Sequence, residues 1–149
     1  MRSRLRQLQH FWQHPWSDKW LFVQAYVGLG VAWVVLRTLP FRRIAARLGV
    51  CMGHSPDTIT PEETQVARRV SWAVGRASRL TPWPSVCLPQ AMIAKALLRQ
   101  RGITSTLYLG AMFNESKALV AHAWLRCGPL YVTGGPGHEH YGVMASFAD

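Results

Sequence analysis

Residues 85–112 read SVCLPQAMIAKALLRQRGITSTLYLGAM, and residues 118–126 read ALVAHAWLR. The first stretch begins with a helical pattern that Gly102 ends, and it continues with alternating small and large side chains over residues 103–112. Residues 118–126 and 130–133 read as further strands, and turn-forming residues separate them. The C-terminal half of the chain therefore reads as one helix followed by short strands.

Cys87 lies at the predicted start of this helix. Ser85 can cap the helix, and Pro89 is tolerated only in a first turn. Unpaired backbone N–H groups and the positive end of the helix dipole favour a thiolate at this position, and they can also bind an oxyanion. The alternative is that Cys87 is a small buried hydrophobic residue, as free cysteines often are.

His122 lies in the middle of the strand predicted over residues 118–126. Strand alternation places it on the face that carries Trp124 and opposite to Ala121 and Ala123. A lone histidine in an apolar strand is often a core residue with a hydrogen-bond partner. Downstream of a cysteine at a helix N-terminus, it can instead act as the general base that activates the thiol. We therefore predict Cys87 and His122 as a catalytic pair.

The N-terminal half reads as helical. Residues 20–36, WLFVQAYVGLGVAWVVL, are the most apolar segment, and Ser17 and Asp18 are its predicted N-cap residues. At about 1.5 Å per residue this helix is roughly 25 Å long, at the lower limit for crossing a bilayer. We favour a core or partner-packing helix, and contact with a membrane surface through the basic flank stays open. The arginines of that flank are Arg37, Arg42, Arg43 and Arg47.

A second strong helix signal follows at Thr60. The segment Thr60-Pro-Glu-Glu63 combines a threonine N-cap, a proline at the first helical position and a glutamate three residues after the cap. Helical spacing of apolar residues continues to about residue 80. We predict an N-terminal helical region over residues 1–59 and the α+β core over residues 60–149, together in one compact unit.

The composition fits a single globular domain. The 149 residues carry a net charge of +10, from 17 lysines and arginines against 7 acidic residues, which suggests an acidic or anionic partner. The three cysteines are an odd number for a disulfide framework, and the first residues lack the pattern of a signal peptide. These features predict a cytoplasmic protein.

Four segments together resemble a known family. C-L-P-x-A begins at Cys87, L-L-R-x-R-G-I ends at Ile103, A-H-A-W contains His122, and LRTLPFRRIAARLG spans residues 36–49. Their combination, which extends over nearly the whole chain, resembles the stand-alone leader peptidase of lasso-peptide biosynthesis. That peptidase is a cysteine protease of the transglutaminase-like superfamily.

The resemblance implies an α+β fold with a transglutaminase-like, papain-like core. In that core Cys87 begins a helix that packs on a small antiparallel sheet and is the nucleophile, and His122 is the base. It implies removal of the leader peptide from a ribosomally made lasso precursor through a thioester, with no metal and no cofactor. The implied partners are the precursor peptide, a separate leader-binding protein and a macrolactam cyclase.

The sequence offers more than one candidate for the residue that orients His122. Some relatives carry an aspartate on the strand after the histidine, whereas residues 131–135 read YVTGG and contain no carboxylate. Glu139 is the candidate for this role, in the manner of a catalytic triad. A backbone carbonyl or Thr133 could hold the imidazole instead.

Other functions compete with this interpretation. Transfer of the acyl group to an amine would use the same thioester as hydrolysis. A basic module that binds nucleic acid is disfavoured because the aromatic residues are separate from the arginines. A zinc site is disfavoured because the ligand spacing is weak. Its candidate ligands are Cys51, His54, Cys127, His138 and His140.

Overall fold

The computed structural model describes residues 15–149. The helices in this range are α1 Trp16–Thr38, α2 Phe41–Ala45, α3 Pro61–Ser78 and α4 Cys87–Arg99. The strands are β1 Val50–Cys51, β2 Thr106–Phe113, β3 Leu119–Cys127, β4 Leu130–Thr133 and β5 Gly142–Ala148, and a 3₁₀ turn spans His138–His140. The strands form one antiparallel sheet in the order β1-β5-β2-β3-β4. The predicted α+β class with a small antiparallel sheet is confirmed.

Strand β5 is the main element that the sequence did not indicate. It lies between β1 and β2, with Phe147 opposite both Leu107 and Cys51. Its sequence, GVMASFA, contains a single β-branched residue and several small ones, so its intrinsic strand signal is weak. Pairing on both sides stabilises it nevertheless, and its C-terminal part is buried.

Helix α3 begins as the sequence predicted. The Thr60 hydroxyl accepts a hydrogen bond from the Glu63 N–H at 3.1 Å, and the Glu63 carboxylate accepts one from the Thr60 N–H at 2.8 Å. These reciprocal bonds satisfy backbone donors that the first turn of a helix leaves unpaired. The buried face of α3 carries Val70 and Val74, which pack in the main hydrophobic core.

Helix α1 is longer than predicted and packs against both α3 and α4. The predicted caps Ser17 and Asp18 are wrong, because the helix starts at Trp16 and both residues lie inside its first turn. Their side chains instead accept hydrogen bonds from Arg69 of α3, at 2.8 and 2.6 Å. By length and composition alone α1 is able to cross a membrane, although one of its faces is buried in the core.

The main hydrophobic core joins both predicted regions of the chain. It includes Leu21 and Leu29 of α1, Leu98 of α4 and Leu125 of β3. The predicted boundary between residues 59 and 60 falls in the loop before α3, yet side chains from both sides of that boundary share this core. The described residues therefore fold around one common interior.

A buried ion pair fixes the C-terminal half of α4. The Lys95 side chain, 2% exposed, donates to the Ser105 carbonyl at 2.7 Å and to the Asp149 carboxylate at 2.8 Å. Arg99 also donates to Asp149, at 2.7 Å, and to the carbonyls of Arg47 and Leu48. Helix α4, the end of β5 and the segment before β1 are therefore linked at this point.

Asp149→Asn should lower the free energy of unfolding by about 3 kcal/mol, because it leaves the buried Lys95 ammonium without its anionic partner. Asp57→Asn is the matched control, since Asp57 pairs with Arg126 but its side chain is 92% exposed. A change of about 0.5 kcal/mol or less is expected for that exposed pair. Urea denaturation measures both effects, and equal effects would contradict the structural role of Asp149.

The same ion pair should make stability depend on acid pH. Burial raises the pKa of Asp149, but hydrogen bonds from Lys95 and Arg99 outweigh this, and the pKa lies below its ordinary value. The stabilisation is therefore complete above the ordinary aspartate pKa of about 4 and is lost as pH falls through the lower folded-state pKa. The free-energy difference between wild type and Asp149→Asn should shrink from about pH 5 downward. A difference that stays constant in urea unfolding at acid pH would contradict this assignment.

Candidate functional site

Cys87 is the first residue of α4 and is half-buried at the edge of the hydrophobic core. The predicted cap is wrong, because Val86 occupies the N-cap position and the Ser85 hydroxyl lies 2.8 Å from that of Thr81. No side chain of residues 15–149 caps this helix. The N–H groups of the first turn are thus left without a side-chain acceptor, in the position where they can stabilise negative charge on a thiolate or an oxyanion.

Gln90 stabilises the backbone at the start of α4. Its side-chain amide donates a hydrogen bond to the Ser85 carbonyl at 2.6 Å, which bridges the first turn and the segment before it. This bond fixes the backbone that leads into Cys87. The sequence analysis did not identify this role of Gln90, because the contact depends on how the chain folds back before α4.

His122 lies on β3, directly opposite Gly110 of β2. Its Nε2 atom is 2.8 Å from the carbonyl oxygen of Gly134. A carbonyl oxygen can only accept, so Nε2 carries the proton and donates this bond. In the neutral imidazole, Nδ1 is then the unprotonated nitrogen and the atom able to accept a proton.

Aromatic rings hold the imidazole on its other sides. The His122 ring stacks on Trp124 at 5.8 Å between centroids, and Tyr141 contacts it at 4.9 Å. Gly110 is required for this arrangement, since a Cβ there would lie 2.8 Å from the Trp124 ring and 2.9 Å from Tyr141. The predicted side of β3 for His122 agrees with these contacts, whereas Gly110 and Tyr141 were not identified from the sequence.

Glu139, which the sequence predicts to orient His122, makes no hydrogen bond or ion pair with that imidazole among residues 15–149. Its carboxylate is 61% exposed and lies 3.4 Å from His138 and 3.6 Å from His140. The Nε2 atom of His122 is occupied by the Gly134 carbonyl instead. Of the alternatives that the sequence left open, this geometry favours a backbone carbonyl, and a role for Glu139 stays a prediction.

Gly134 connects the histidine with the first turn of α4. Its backbone has φ of +65°, and a Cβ would lie 2.4 Å from the Ala123 carbonyl, so only glycine fits. Gly134 also lines a cavity of about 410 Å³ together with Gln90 and Thr133. The Thr133 hydroxyl is buried and has no hydrogen-bond partner among residues 15–149. Thr133 therefore brings a buried, unsatisfied polar group to the wall of this cavity.

Neither of the two predicted catalytic residues lines this cavity: Cys87 begins α4, and His122 lies on β3. Within the described chain no hydrogen bond joins Cys87 and His122. They are linked indirectly, because Gly134 accepts from His122 and lines the same cavity as Gln90, one turn after Cys87. Catalytic hydrogen bonds are often long without substrate and tighten in the complex.

The candidate zinc ligands named from the sequence do not form a cluster among the described residues. In the part of the chain that the structure describes, no group of at least three metal-ligating side chains comes together. The Cys127 thiol is buried and points to the Thr104 carbonyl at 3.5 Å, while His54 lies against the Tyr108 hydroxyl. Burial, and after it the charge of Glu63, raises the pKa of Cys127, which keeps this thiol protonated.

Comparison with known proteins identifies the family. Residues 32–146 match the family model described as Transglutaminase-like superfamily, and this range contains α2 to α4 and most of the sheet. No curated protein and no solved structure matches the chain significantly. The superfamily includes cysteine proteases, and its members are often cysteine-dependent enzymes. The chain belongs to the transglutaminase-like superfamily.

Proposed function

We propose that this protein is a cysteine endopeptidase that removes the leader from a ribosomally made lasso-peptide precursor. The observation that carries the proposal is the arrangement around Gly134. Its carbonyl fixes the His122 imidazole through Nε2, and its backbone lines a cavity shared with the first turn of α4, the helix that Cys87 begins. A helix-N-terminal cysteine and an oriented histidine are the parts that thiol catalysis needs.

In the first half of the reaction, Nδ1 of His122 takes the thiol proton and Cys87 Sγ attacks the carbonyl carbon of the scissile bond. The developing oxyanion is stabilised by N–H groups at the start of α4. The protonated His122 then gives its proton to the leaving nitrogen, which becomes the new N-terminus of the core peptide. The leader remains attached to Cys87 as a thioester.

In the second half, His122 removes a proton from water, and the resulting hydroxide attacks the thioester carbonyl. The carbon–sulfur bond breaks, the leader leaves with a free carboxylate, and the thiol of Cys87 regains a proton. Because Nε2 stays bonded to the Gly134 carbonyl, Nδ1 is the nitrogen that takes and gives the proton in both halves of the reaction. The chemistry therefore proceeds with residues of this chain and water.

The choice of substrate rests on the motif resemblance. The segments around Cys87 and His122, with residues 36–49, resemble the leader peptidase of lasso-peptide biosynthesis. We accordingly propose the lasso precursor as substrate, a leader-binding protein as the partner that delivers it, and a macrolactam cyclase as the enzyme that uses the freed core. We place this reaction in the cytoplasm, where the three unpaired cysteines stay reduced.

Transfer to an amine is the second candidate, and membership of the transglutaminase-like superfamily favours testing it. Formation of the thioester is identical in the two reactions. In hydrolysis the leader is released as a free acid. In transfer, an amine nitrogen attacks the thioester, and the leader is released as an amide. The amide is heavier than the free acid by the mass of the amine less one water, so the mass of the product distinguishes the two reactions.

Cys87→Ala should abolish cleavage of the precursor peptide in the presence of the leader-binding protein, and His122→Ala should reduce kcat by at least about 10³-fold. Cys51→Ala is the matched control, since Cys51 is exposed on β1 and should leave the rate unchanged. Mass spectrometry of the products, with and without an added primary amine, gives both the rate and the acceptor.

Each result of this experiment bears on a different part of the proposal. Cleavage at one junction by wild type and Cys51→Ala alone supports the peptidase. Equal cleavage by Cys87→Ala rejects Cys87 as the nucleophile. An amine adduct that requires Cys87 keeps the catalytic pair and replaces hydrolysis by transfer. No product despite measured binding of precursor and partner rejects the proposed reaction.

Glu139→Gln distinguishes the two candidates for orienting His122. If the Gly134 carbonyl holds the ring, as its distance of 2.8 Å suggests, kcat should stay within about threefold of wild type. If Glu139 moves onto His122 in the substrate complex, kcat should fall by at least about tenfold. We expect the smaller effect, measured as the rate of leader release at saturating precursor.

A further inference from the structure

The outer face of α1 is apolar and exposed along most of the helix. Trp20, Val23, Val27, Val31 and Val34 recur at intervals of three or four residues and are between 43% and 63% exposed. They therefore lie on one side of the helix. Isolated exposed hydrophobic residues are ordinary on protein surfaces, but a continuous row marks a surface with a partner.

The opposite face of α1 is committed to the core. Leu21, Ala25 and Leu29 are at most 2% exposed and pack with α3 and α4. The exposed row of α1 is therefore accessible while the opposite face of the helix stays packed in the core. An apolar cavity of about 560 Å³, lined by Val27, Val31 and Trp83, widens this surface beside the helix.

The charge at the C-terminal end of this row has a single sign. The four arginines of the basic flank are exposed: Arg37 at the C-terminal end of α1, Arg42 and Arg43 on α2, and Arg47 just after α2. No acidic residue occurs from position 19 to position 56 of the sequence. An apolar row with a purely basic flank is complementary to a surface that is apolar inside and anionic outside.

We propose that this surface, which comprises the outer row of α1 and the four arginines of its basic flank, binds an anionic phospholipid membrane. The helix lies parallel to the bilayer, with the valines among the upper acyl chains and the arginines at the phosphates. Trp20 fits this position, since indole rings favour the boundary between headgroups and acyl chains. Helix α1 does not cross the bilayer in this arrangement, because its inner face stays packed on α3 and α4.

A second copy of the chain is a poorer occupant of the same surface. A second copy offers these arginines no exposed acid from the same surface, because the single acidic residue of α1, Asp18, bonds Arg69 and its side chain is only 14% exposed. Anionic lipid headgroups neutralise the same arginines. The charge distribution thus favours a membrane over a dimer, and this argument does not depend on the catalytic proposal.

Flotation of the full chain with vesicles tests the membrane surface. The wild type should float with phosphatidylcholine–phosphatidylglycerol vesicles at roughly a two-to-one ratio, and at least about tenfold less with phosphatidylcholine alone. Val27→Glu combined with Val31→Glu should lower binding to the anionic vesicles by at least about tenfold, as should Arg42→Glu combined with Arg43→Glu. These residues are exposed, so circular dichroism melting should show that both variants stay folded.

Matched controls carry the same changes elsewhere. Leu119→Glu with Val143→Glu alters exposed apolar residues of the sheet, and Arg68→Glu with Arg79→Glu alters exposed arginines outside the α1–α2 surface. Both controls should still float. Equal loss in the arginine controls would overturn the proposal in favour of general charge attraction. Failure of the wild type to float, or a change from dimer to monomer in the valine variant by analytical ultracentrifugation, would also overturn it.

Discussion

The ion pair between Lys95 and Asp149 is the contact on which the position of α4 depends. A buried ammonium needs an anionic partner and further acceptors, and here the Asp149 carboxylate and the Ser105 carbonyl supply them. Because Arg99 extends the same cluster to the segment before β1, the helix is held against both the sheet and the N-terminal region. Its far end, where Cys87 lies, is thereby placed by contacts about two turns away.

A backbone carbonyl holds His122 where a side-chain carboxylate is the more familiar solution. Such an acceptor does not titrate, so it can accept a hydrogen bond from Nε2 at any pH. This arrangement requires glycine at position 134, because the residue there has a positive φ and a Cβ would clash with β3. It also requires glycine at position 110, because a Cβ there would clash with Trp124 and Tyr141. Two glycines thus determine where the imidazole lies.

The sequence predicts correctly those features of the fold that depend on residues close together in the chain. The capping box at Thr60 and the alternation around His122 depend on positions a few residues apart, and both agree with the structure. Strand β5 was missed because long-range pairing, rather than its own residues, stabilises it. The sequence predicts Glu139 as the orienting residue from its charge and its place after His122, and this stays a prediction, while the structure places its carboxylate beside His138 and His140. Sequence order alone could not show that position.

Helices α1 and α3 pack side by side on the same core, and the contrast between their outer faces is informative. On α3 the outward positions carry polar and basic residues such as Arg68 and Arg69, the ordinary outcome for a helix that faces water. On α1 the equivalent positions carry valines, although the inner face of the helix already supplies its contribution to the core. Core packing therefore does not explain the valines, and solubility opposes them. A binding role of the outer face of α1 accounts for both the apolar row and the arginines next to it.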